Sequence, residues 1–534
     1  MSVLKREKPY KACPPEETVR NIKDILASKG IKTSEELFYN ADADVYSCNV
    51  YIANEGLDKL RIGTNGKGMT KEYSLASGYA EFMERYQCGI LTGVPSDKMS
   101  DAVKVKTAEF ENEIKDFFRD NFGENEKASK TVLSLYDEMT LVPLFTYSGD
   151  EKILVPIDML LTLTTSNGMC AGNSKIEAVI EGVSEIFERY ALKKIMLEKL
   201  CPPAVSDSWF DDTEILEKLT KLKAKGIKYE IRDCSLGMGL PVIGIYMEIE
   251  DERSLFHLGA DPSPITALER CVTEIFQGVD NINDAEFHEA HDTEEDDAFW
   301  KYQLQLCSWG GNIYPNEIRG KNPSWEFKGF SHTVSKSNED DLSYYLKVIS
   351  SLDKKLYIRD CSYYGFPSYF CYIPGLSGID FSYDEGEELA GFLCCGEKLK
   401  AARKLPLLNK KEIKEFALTY REFLDDFWYY ENENFARRFF PKGSFPAEIK
   451  GLDYMLAKIY AAAHLRDDAA DAMENYLLTA DDDDYEYAEK FIISMRCNKN
   501  MKKYEISPSE FPVCENCAKC MLKSNCFKAN FEIV

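Results

Sequence analysis

Two segments of the chain repeat one unusual pattern. Residues 76–86 read ASGYAEFMERY and residues 180–190 read IEGVSEIFERY, and the two align without a gap. In both, apolar residues separate the charged ones at the 3.6-residue spacing of a helix with one buried and one polar face. A weaker third copy, TEIFQG, stands at 273–278. The repeat therefore predicts three amphipathic helices that present similar polar residues.

Each of these helices gathers its polar side chains on one stripe, because successive residues are turned by about 100°. The stripes comprise Ser77, Glu81, Glu84 and Arg85; Glu177, Glu181, Glu185 and Glu188; and Arg270, Glu274 and Gln277. Carboxylates at i,i+4 spacing repel one another, so a stripe of them favours nearby cations. For any single helix the alternative is a solvated acidic face. The recurrence in three helices favours carboxylates that converge on Mg²⁺.

Glycine-rich segments precede two of the helices. Residues 63–68 read GTNGKG, which is similar to the end of a phosphate-binding loop but lacks the GxxxxGK[ST] spacing of a Walker motif. Residues 166–174 read SNGMCAGNS, where Asn173 or Ser174 would cap the next helix and its free N–H groups would suit an anion. Each segment is expected to be a turn, with or without a phosphate ligand.

Composition limits the partners and the location. The 534 residues carry 65 basic and 91 acidic side chains, for a net charge of −26. This excess of acid argues against binding to nucleic acid backbones and to anionic membrane surfaces. The sequence has no apolar run long enough for a membrane span and no signal peptide, so its 17 cysteines are expected to be mostly reduced thiols. We expect a cytoplasmic protein.

A second internal repeat indicates the fold class. The letters RDCS recur within residues 229–241 and 356–367, and an apolar run follows each copy. Both copies predict strand, turn and strand, with Asp233 and Asp360 as turn formers rather than catalysts. The sequence therefore predicts an α/β (α+β) core whose sheets are covered by helices, followed by an α-helical C-terminal region.

The tail carries four cysteines with short spacings: Cys514, Cys517, Cys520 and Cys526. Such spacing is typical of a Zn²⁺ site or an iron–sulfur cluster in a cytosolic protein. Plain reduced thiols are the alternative.

Several of these segments together resemble the motifs of the YcaO family. They are GKG (66–68), SGYAEFMER (77–85), SNGMCAGNSKIEAVIEGVSEIFERY (166–190) and ALERCVTEIFQG (267–278), in the family's order. The match spans about residues 45–395. It implies an internally duplicated ATP-binding fold unrelated to P-loop or Rossmann proteins. It also implies an ATP- and Mg²⁺-dependent activation of a backbone amide by O-phosphorylation.

The resemblance also implies roles for particular residues. Nucleotide contacts would be made by Lys67, Ser77, Asn173, Glu177, Arg189 and Arg270, and Mg²⁺ or its water ligands by Glu81, Glu84, Glu185, Glu188 and Glu274. Cys170 stands where the family has a small hydroxyl residue, and a thiol accepts hydrogen bonds poorly. The sequence assigns no catalytic residue.

Four regions are expected along the chain. They are an N-terminal extension (1–44), the YcaO ATP-binding core (45–396), a helical region that includes a helix pair similar to a tetratricopeptide unit (397–505) and a cysteine-rich tail (506–534). The helical region is either an appendix packed on the core or a docking surface for a protein partner. We also expect a homodimer.

The last residues of the given sequence bear on the expected subtype. No proline follows Pro512, whereas azoline-forming members of the family typically end in PxPxP. The chain looks more like the stand-alone bacterial group, which implies a role in β-methylthiolation of a small-subunit ribosomal protein. The expected function is amide activation on a peptide or protein substrate, or support of that methylthiolation. The alternatives are a non-catalytic nucleotide-binding adaptor for a modifying enzyme and, from the tail alone, an iron–sulfur protein in peptide modification.

Overall fold

The protein is described here by a computed structural model. It describes residues 4–7, 12–55, 61–91, 101–249, 253–282, 285, 314–379, 385–426, 447, 450–480, 482–497, 506–511 and 513. The four tail cysteines, Cys514, Cys517, Cys520 and Cys526, lie outside these residues, so their metal site stays a prediction.

The described residues form fourteen α-helices. They are α1 (Pro15–Ser28), α2 (Lys71–Gln87), α3 (Glu111–Phe122), α4 (Glu126–Leu135), α5 (Ile157–Thr164), α6 (Lys175–Leu197), α7 (Glu214–Ala224), α8 (Pro264–Ile275), α9 (Asn338–Ser351), α10 (Glu385–Leu399), α11 (Lys410–Asp426), α12 (Leu452–Ala462), α13 (Arg466–Leu477) and α14 (Asp482–Arg496). Short 3₁₀ helices lie at Thr107–Glu109, Asp207–Trp209, Asn316–Arg319 and Lys400–Leu407. Among the described helices, none is long and apolar enough to cross a membrane.

The strands form three antiparallel sheets and one short parallel pair. They are β1 (Lys5–Arg6), β2 (Thr33–Asn40), β3 (Val45–Ile52), β4 (Gly63–Gly68), β5 (Val103–Lys106), β6 (Glu138–Thr146), β7 (Lys152–Pro156), β8 (Met169–Ala171), β9 (Ala204–Val205), β10 (Lys228–Asp233), β11 (Val242–Glu248), β12 (Ser254–Ala260), β13 (Val334–Ser335), β14 (Tyr357–Asp360) and β15 (Ser368–Tyr372). The first sheet has the order β2-β3-β4, the second β5-β6-β14-β15-β8 with β7 also on β6, and the third β12-β11-β10-β9, while β1 pairs with β13.

The three repeated helices connect these sheets. Helix α2 packs on β3 and β4, and α6 contacts β8 and β15 of the second sheet as well as β12 of the third. Helix α8 packs on β11 and β12 and also reaches β3 and β4. The predicted mixed α/β fold with a helical C-terminal region is therefore confirmed.

The first glycine-rich segment is a strand, not the expected turn. Residues 63–68 pair along β3 as β4, and α2 crosses directly over them. A Cβ atom on Gly66 would lie 2.1 Å from the carbonyl oxygen of Ser74 and 2.4 Å from the backbone nitrogen of Gly78. Glycine is rare in strands because it offers no side chain to pack, and here that absence is what admits the helix.

Both copies of the second repeat form the predicted hairpins. β10 pairs with β11, and β14 pairs with β15. At the turns, the Asp233 carboxylate accepts a hydrogen bond from the backbone nitrogen of Ser235 at 3.1 Å, and Asp360 accepts one from Ser362 at 2.9 Å. The interpretation of both aspartates as turn formers is confirmed.

The C-terminal helices have a core of their own. Tyr420, Phe423, Met455 and Phe491 are buried together, and α12, α13 and α14 pack in sequence. Two of the expected region boundaries fall inside structural units: α10 runs across 396, and the β2–β3 hairpin spans 44. The domain limits themselves stay predictions.

Candidate functional site

A cavity of about 680 Å³ lies between α2, α6, α8 and β4. All eleven side chains that the sequence proposed for a nucleotide and Mg²⁺ line it. They are Lys67, Ser77, Asn173, Glu177, Arg189 and Arg270, with Glu81, Glu84, Glu185, Glu188 and Glu274. The geometry therefore brings the three predicted stripes together, while their binding roles stay predictions.

Each of the first two helices begins at a capping residue that the sequence supplies. The hydroxyl of Thr70 accepts a hydrogen bond from Tyr73 N at 3.3 Å at the start of α2, and that of Ser174 accepts one from Glu177 N at 3.2 Å at the start of α6. Of the two candidates for the second cap, Ser174 is therefore the one used. The caps fix where each helix starts and so which residues face the cavity.

Glycines allow each of the three helices to pack closely on its sheet. Gly78 and Gly182 occupy equivalent positions in the first two repeats, and a Cβ on either would lie 2.9 Å from a cysteine sulfur. The third repeat has Cys271 at this position, and there the strand residue Gly259 provides the space: a Cβ on it would lie 2.9 Å from Cys271 N. The close contact between helix and strand recurs in the third repeat, but there the glycine is on the strand instead of the helix.

Carboxylates crowd one wall of the cavity. Burial raises the pKa of Glu84 well above its usual value, and the charges of Glu81, Glu185 and Glu181 act in the same direction. Burial also raises the pKa of Glu185. One buried oxygen of Glu84, Oε1, makes no hydrogen bond within the described part of the chain. This wall would gain from additional positive charge.

Basic side chains offset part of this charge. The guanidinium of Arg85 lies 3.4 Å from Glu81 and 3.3 Å from Glu84, and these acids help to raise its own pKa. Lys67 forms an ion pair with Glu274 across the cavity. Burial, and then the charge of Arg270, lowers the pKa of Lys67 to about 8.

Two ion pairs at the cavity were not assigned from the sequence. Arg270 donates to both oxygens of Glu181, at 2.8 and 2.6 Å, and Arg6 donates to Glu269 at 2.8 Å. The stripe pattern had already placed Glu181 on the polar face of α6. No local signal could have revealed Arg6, because its partner is 263 residues away.

The N-terminal segment also reaches the predicted nucleotide contacts. Thr18 donates to Asn173 Oδ1 at 2.9 Å, and the backbone nitrogen of Ala12 donates to Glu177 Oε2 at 2.8 Å. Asn173 in turn donates its side-chain amide to Glu177 Oε1 at 3.0 Å. These bonds hold Asn173 and Glu177 in fixed orientations at one edge of the cavity.

Cys170 and Gln277 differ from the other motif residues in how they relate to the cavity. Cys170 is a fully buried residue of β8 whose sulfur donates to Tyr369 O at 3.4 Å, and it does not line the cavity. Gln277 lines the cavity but follows the end of α8 at Ile275. The third stripe therefore ends in the residues beyond the helix.

The cavity suits a cation that carries phosphates. Of the described residues, nine glutamates and five arginine or lysine side chains line it. The excess of carboxylate oxygen matches the ligand preference of Mg²⁺, and the lysine and arginines match phosphate. Within the described part of the chain, the trio whose ligand atoms lie within 4.8 Å of one another is elsewhere, at His332, Asp340 and Asp341. Among the described residues, the glutamates of the cavity thus form no group this close, and their role as Mg²⁺ ligands stays a prediction.

The fold and the cavity together define a class of protein: an α/β chain that turns the polar faces of repeated helices onto a mixed acidic and basic cavity. The chain belongs to the YcaO family. The family model described as YcaO cyclodehydratase, ATP- and Mg²⁺-binding, matches residues 65–377, which is more than half of the chain.

Relatives agree with this membership. The ribosomal protein S12 methylthiotransferase accessory factor YcaO of Escherichia coli K12 is 24% identical over 404 residues, covering 70% of this chain and 66% of that protein. An uncharacterized protein of Haemophilus influenzae is 25% identical over 397 residues, covering 68% of this chain and 65% of the relative. The chain thus spans slightly less than two thirds of the length of these relatives.

The fold also resembles a solved structure. It is a heterocyclase in complex with substrate and cofactor, matched with a TM-score of 0.51 at 18% identity over 72% of this chain and 55% of that one. At this identity the likeness bears on the fold alone.

Proposed function

We propose that this protein binds Mg²⁺ and ATP in the cavity between α2, α6 and α8 and uses them to activate a backbone amide of a peptide or protein. One observation carries the proposal: eleven side chains from separate sequence motifs, all expected to bind one metal–nucleotide pair, line a single cavity. The family to which the chain belongs supports the same ligand pair.

The side chains divide the work by charge. Lys67, Arg189 and Arg270 would contact the phosphates, and Ser77, Asn173 and Glu177 would contact the rest of the nucleotide. The metal would be held by Glu81, Glu84, Glu185, Glu188 and Glu274. Bound Mg²⁺ would neutralise charge on the triphosphate.

For the reaction itself, the protein would mainly position the reactants and stabilise the developing charge electrostatically. The γ-phosphoryl group would pass to the amide oxygen and ADP would leave. A nucleophile would then add at the activated carbon, and the C–O bond would break to release inorganic phosphate. Arg189 and Arg270 would stabilise the charge that develops during transfer, because fixed cations in a water-poor cavity act more strongly than in water. Lys67, whose pKa is lowered to about 8, would still be largely charged at neutral pH.

Calorimetry with Mg-ATP tests the site. Glu81→Gln and Glu188→Gln each remove one carboxylate charge at nearly constant shape, and we expect each to abolish measurable binding. Glu72→Gln is the matched control, since Glu72 is on α2 but does not line the cavity. Wild-type affinity in both cavity variants would overturn the proposal.

A non-catalytic adaptor is the second candidate. It is favoured by the name of the E. coli relative, which is an accessory factor of a methylthiotransferase. An adaptor for β-methylthiolation of a small-subunit ribosomal protein would bind nucleotide without forming ADP, and its C-terminal helices would dock the partner enzyme. Single-turnover measurement of ADP formation in the presence of the peptide substrate separates the two candidates.

Two further expectations belong with this proposal. The homodimer is tested by light scattering on the purified chain.

The Zn²⁺ or iron–sulfur site at Cys514, Cys517, Cys520 and Cys526 is tested by the metal content of anaerobically purified protein, with Cys517→Ser as the comparison. Absence of both metals from the wild type would leave these cysteines as reduced thiols.

A further inference from the structure

A second cavity, of about 450 Å³, lies at the N-terminal end of α8. The turn between β10 and β11, residues 325–332 and Tyr344 of α9 form its walls. None of its lining residues lines the nucleotide cavity. It is therefore a separate space, and the proposed nucleotide site makes no use of it.

Aromatic side chains in fixed positions form much of this wall. The indole of Trp325 donates to Asp233 Oδ2 at 3.0 Å and packs against Gly237, where a Cβ would lie 3.2 Å from that of Trp325. The His332 ring stacks on Tyr344 with their centroids 4.7 Å apart, and His332 Nε2 lies 2.8 Å from the buried Asp341. The cavity is thus held open by specific contacts.

Asp233 is the unusual group in this wall. Only 6% of it is exposed, yet its side chain accepts hydrogen bonds from neutral donors, namely the indole of Trp325 and the nitrogen and hydroxyl of Ser235. Among the described residues it forms no ion pair, and burial raises its pKa. A buried carboxylate is strongly stabilised by a cation, so Asp233 offers a site for positive charge.

The rest of the lining suits a cation on an apolar stem. Asp261 is a second buried carboxylate, and Glu326 adds an exposed one to the lining, whereas Lys328 is an exposed cation beside it. Prolines and leucine adjoin them: Leu240, Pro241, Pro262 and Pro264. Arginine and lysine side chains pack their methylene stems on such surfaces while the charged end meets carboxylates and aromatic rings.

The two copies of the internal repeat differ in what lies beside their turns. In the second copy, between β14 and β15, the side chain of Gln87 accepts from Tyr364 N at 2.7 Å and donates to Phe366 O at 2.8 Å. That plug comes from α2 of the same chain. In the first copy, the region beside the same RDCS turn is a cavity, with Asp233 as part of its wall.

One stripe of α8 leads from this cavity to the nucleotide cavity. Pro264 and Ala267 line the first, while Arg270 and Glu274 continue the same i,i+3 and i+4 series into the second. From Pro264 to Glu274 the helix rises by about 15 Å. An extended peptide covers that length in about four or five residues.

We propose that this second cavity binds a basic side chain, arginine or lysine, of the polypeptide substrate, about four or five residues from the amide that is activated. The polypeptide nature of the substrate rests on the proposed function. The cavity then sets which amide of the substrate reaches the nucleotide.

Saturation-transfer NMR on the full chain tests the proposal with three probes: N-acetyl-L-argininamide, its uncharged analogue N-acetyl-L-norleucinamide, and free L-arginine. We expect the blocked arginine to bind and the norleucine probe not to bind. Asp233→Asn should weaken the binding of the blocked arginine by about tenfold or more. Asp360→Asn is the matched control, because it alters the same residue in the plugged turn.

Every outcome bears on the proposal. Equal signals from the arginine and norleucine probes, binding of free arginine alone, or full binding by Asp233→Asn would each overturn it. Mg-ATP calorimetry on the same samples keeps the two proposals distinct. If wild type binds no nucleotide, the proposed function is wrong. If it binds nucleotide normally but does not bind the blocked arginine, only the proposal for the second cavity is wrong.

Discussion

The guanidinium of Arg270 donates two hydrogen bonds to the carboxylate of Glu181, at 2.8 and 2.6 Å, and so joins α8 to α6. A paired contact of this kind fixes the plane of the guanidinium as well as its position. Arg270 is therefore oriented at the cavity before any ligand binds. The same pair links the third repeat of the glutamate pattern to the second.

The energy of this link can be measured with a double-mutant cycle. We expect Glu181→Ala and Arg270→Ala to couple by about 1 kcal/mol in the free energy of unfolding, because the pair is bidentate and partly buried. Lys194 and Glu198, 2.9 Å apart at the exposed end of α6, are the control pair and should couple by only about 0.3 kcal/mol. Equal coupling in both pairs would show that the Arg270–Glu181 pair stabilises the fold no more than an exposed ion pair does.

Glu84 should make stability depend on pH when no metal is bound. Its pKa is raised well above the usual 4.5 in the folded state, so folding favours the protonated form. That stabilisation is complete below pH 4.5 and is lost as the pH rises through the folded pKa. A pKa difference of one between the folded and unfolded states corresponds to about 1.4 kcal/mol of stability.

Glu84→Gln therefore should raise the melting temperature at pH 7 without Mg²⁺ and flatten its change between pH 5 and pH 8. Thermal unfolding across this pH range gives the comparison, with Glu72→Gln as the control on the same helix. If the melting temperature of Glu84→Gln changes with pH as strongly as that of wild type, the titrating group is another residue.

The glycines on the packed faces of α2 and α6, Gly78 and Gly182, should not tolerate a methyl group. A Cβ on Gly78 would lie 3.0 Å from Val50 Cγ2, and one on Gly182 would lie 2.9 Å from the oxygen of Gly168. We expect each alanine variant to lose about 1–3 kcal/mol of stability, as overpacked cores do. In Gly391→Ala, on α10, the new Cβ meets nothing within 4 Å, so denaturant unfolding should show a gain of about 0.5–1 kcal/mol.

Cys170→Ser should leave Mg-ATP affinity unchanged, although the resemblance places a hydroxyl contact there. The reason is that the sulfur donates to Tyr369 O, on the neighbouring strand β15, and that Cys170 does not line the cavity. Asn173→Ala, three residues further along, removes a side chain that does line the cavity. It should lower the affinity for Mg-ATP by about tenfold. A comparable loss in Cys170→Ser would mean that residue 170 reaches the nucleotide.

The polar faces of α2, α6 and α8 could be predicted from the sequence because helical periodicity is local. Glu81, Glu84 and Glu188 lie where a helical wheel puts them. The strand at 63–68 was not predicted, since its glycines are typical of turns and their reason is the helix that crosses them. Whether a glycine serves a turn or a close contact depends on distant parts of the chain.

Pairings between motifs were also beyond the sequence. The stripe on α6 indicates that Glu181 faces the other glutamates, but it cannot select Arg270 as the partner. Arg6 illustrates the limit more sharply, since it reaches Glu269 through the pairing of β1 with β13. Such contacts are set by how sheets and helices stack, which no short window of sequence records.

The contact of Gly66 with Gly78 has a mechanical consequence. With no side chain between them, β4 and α2 cannot slide or tilt against each other without their backbones colliding. Lys67 on the strand and Glu81 on the helix therefore move as one rigid block. If the cavity binds a nucleotide as proposed, a motion that opens it therefore has to come from its other walls, which α6 and α8 form.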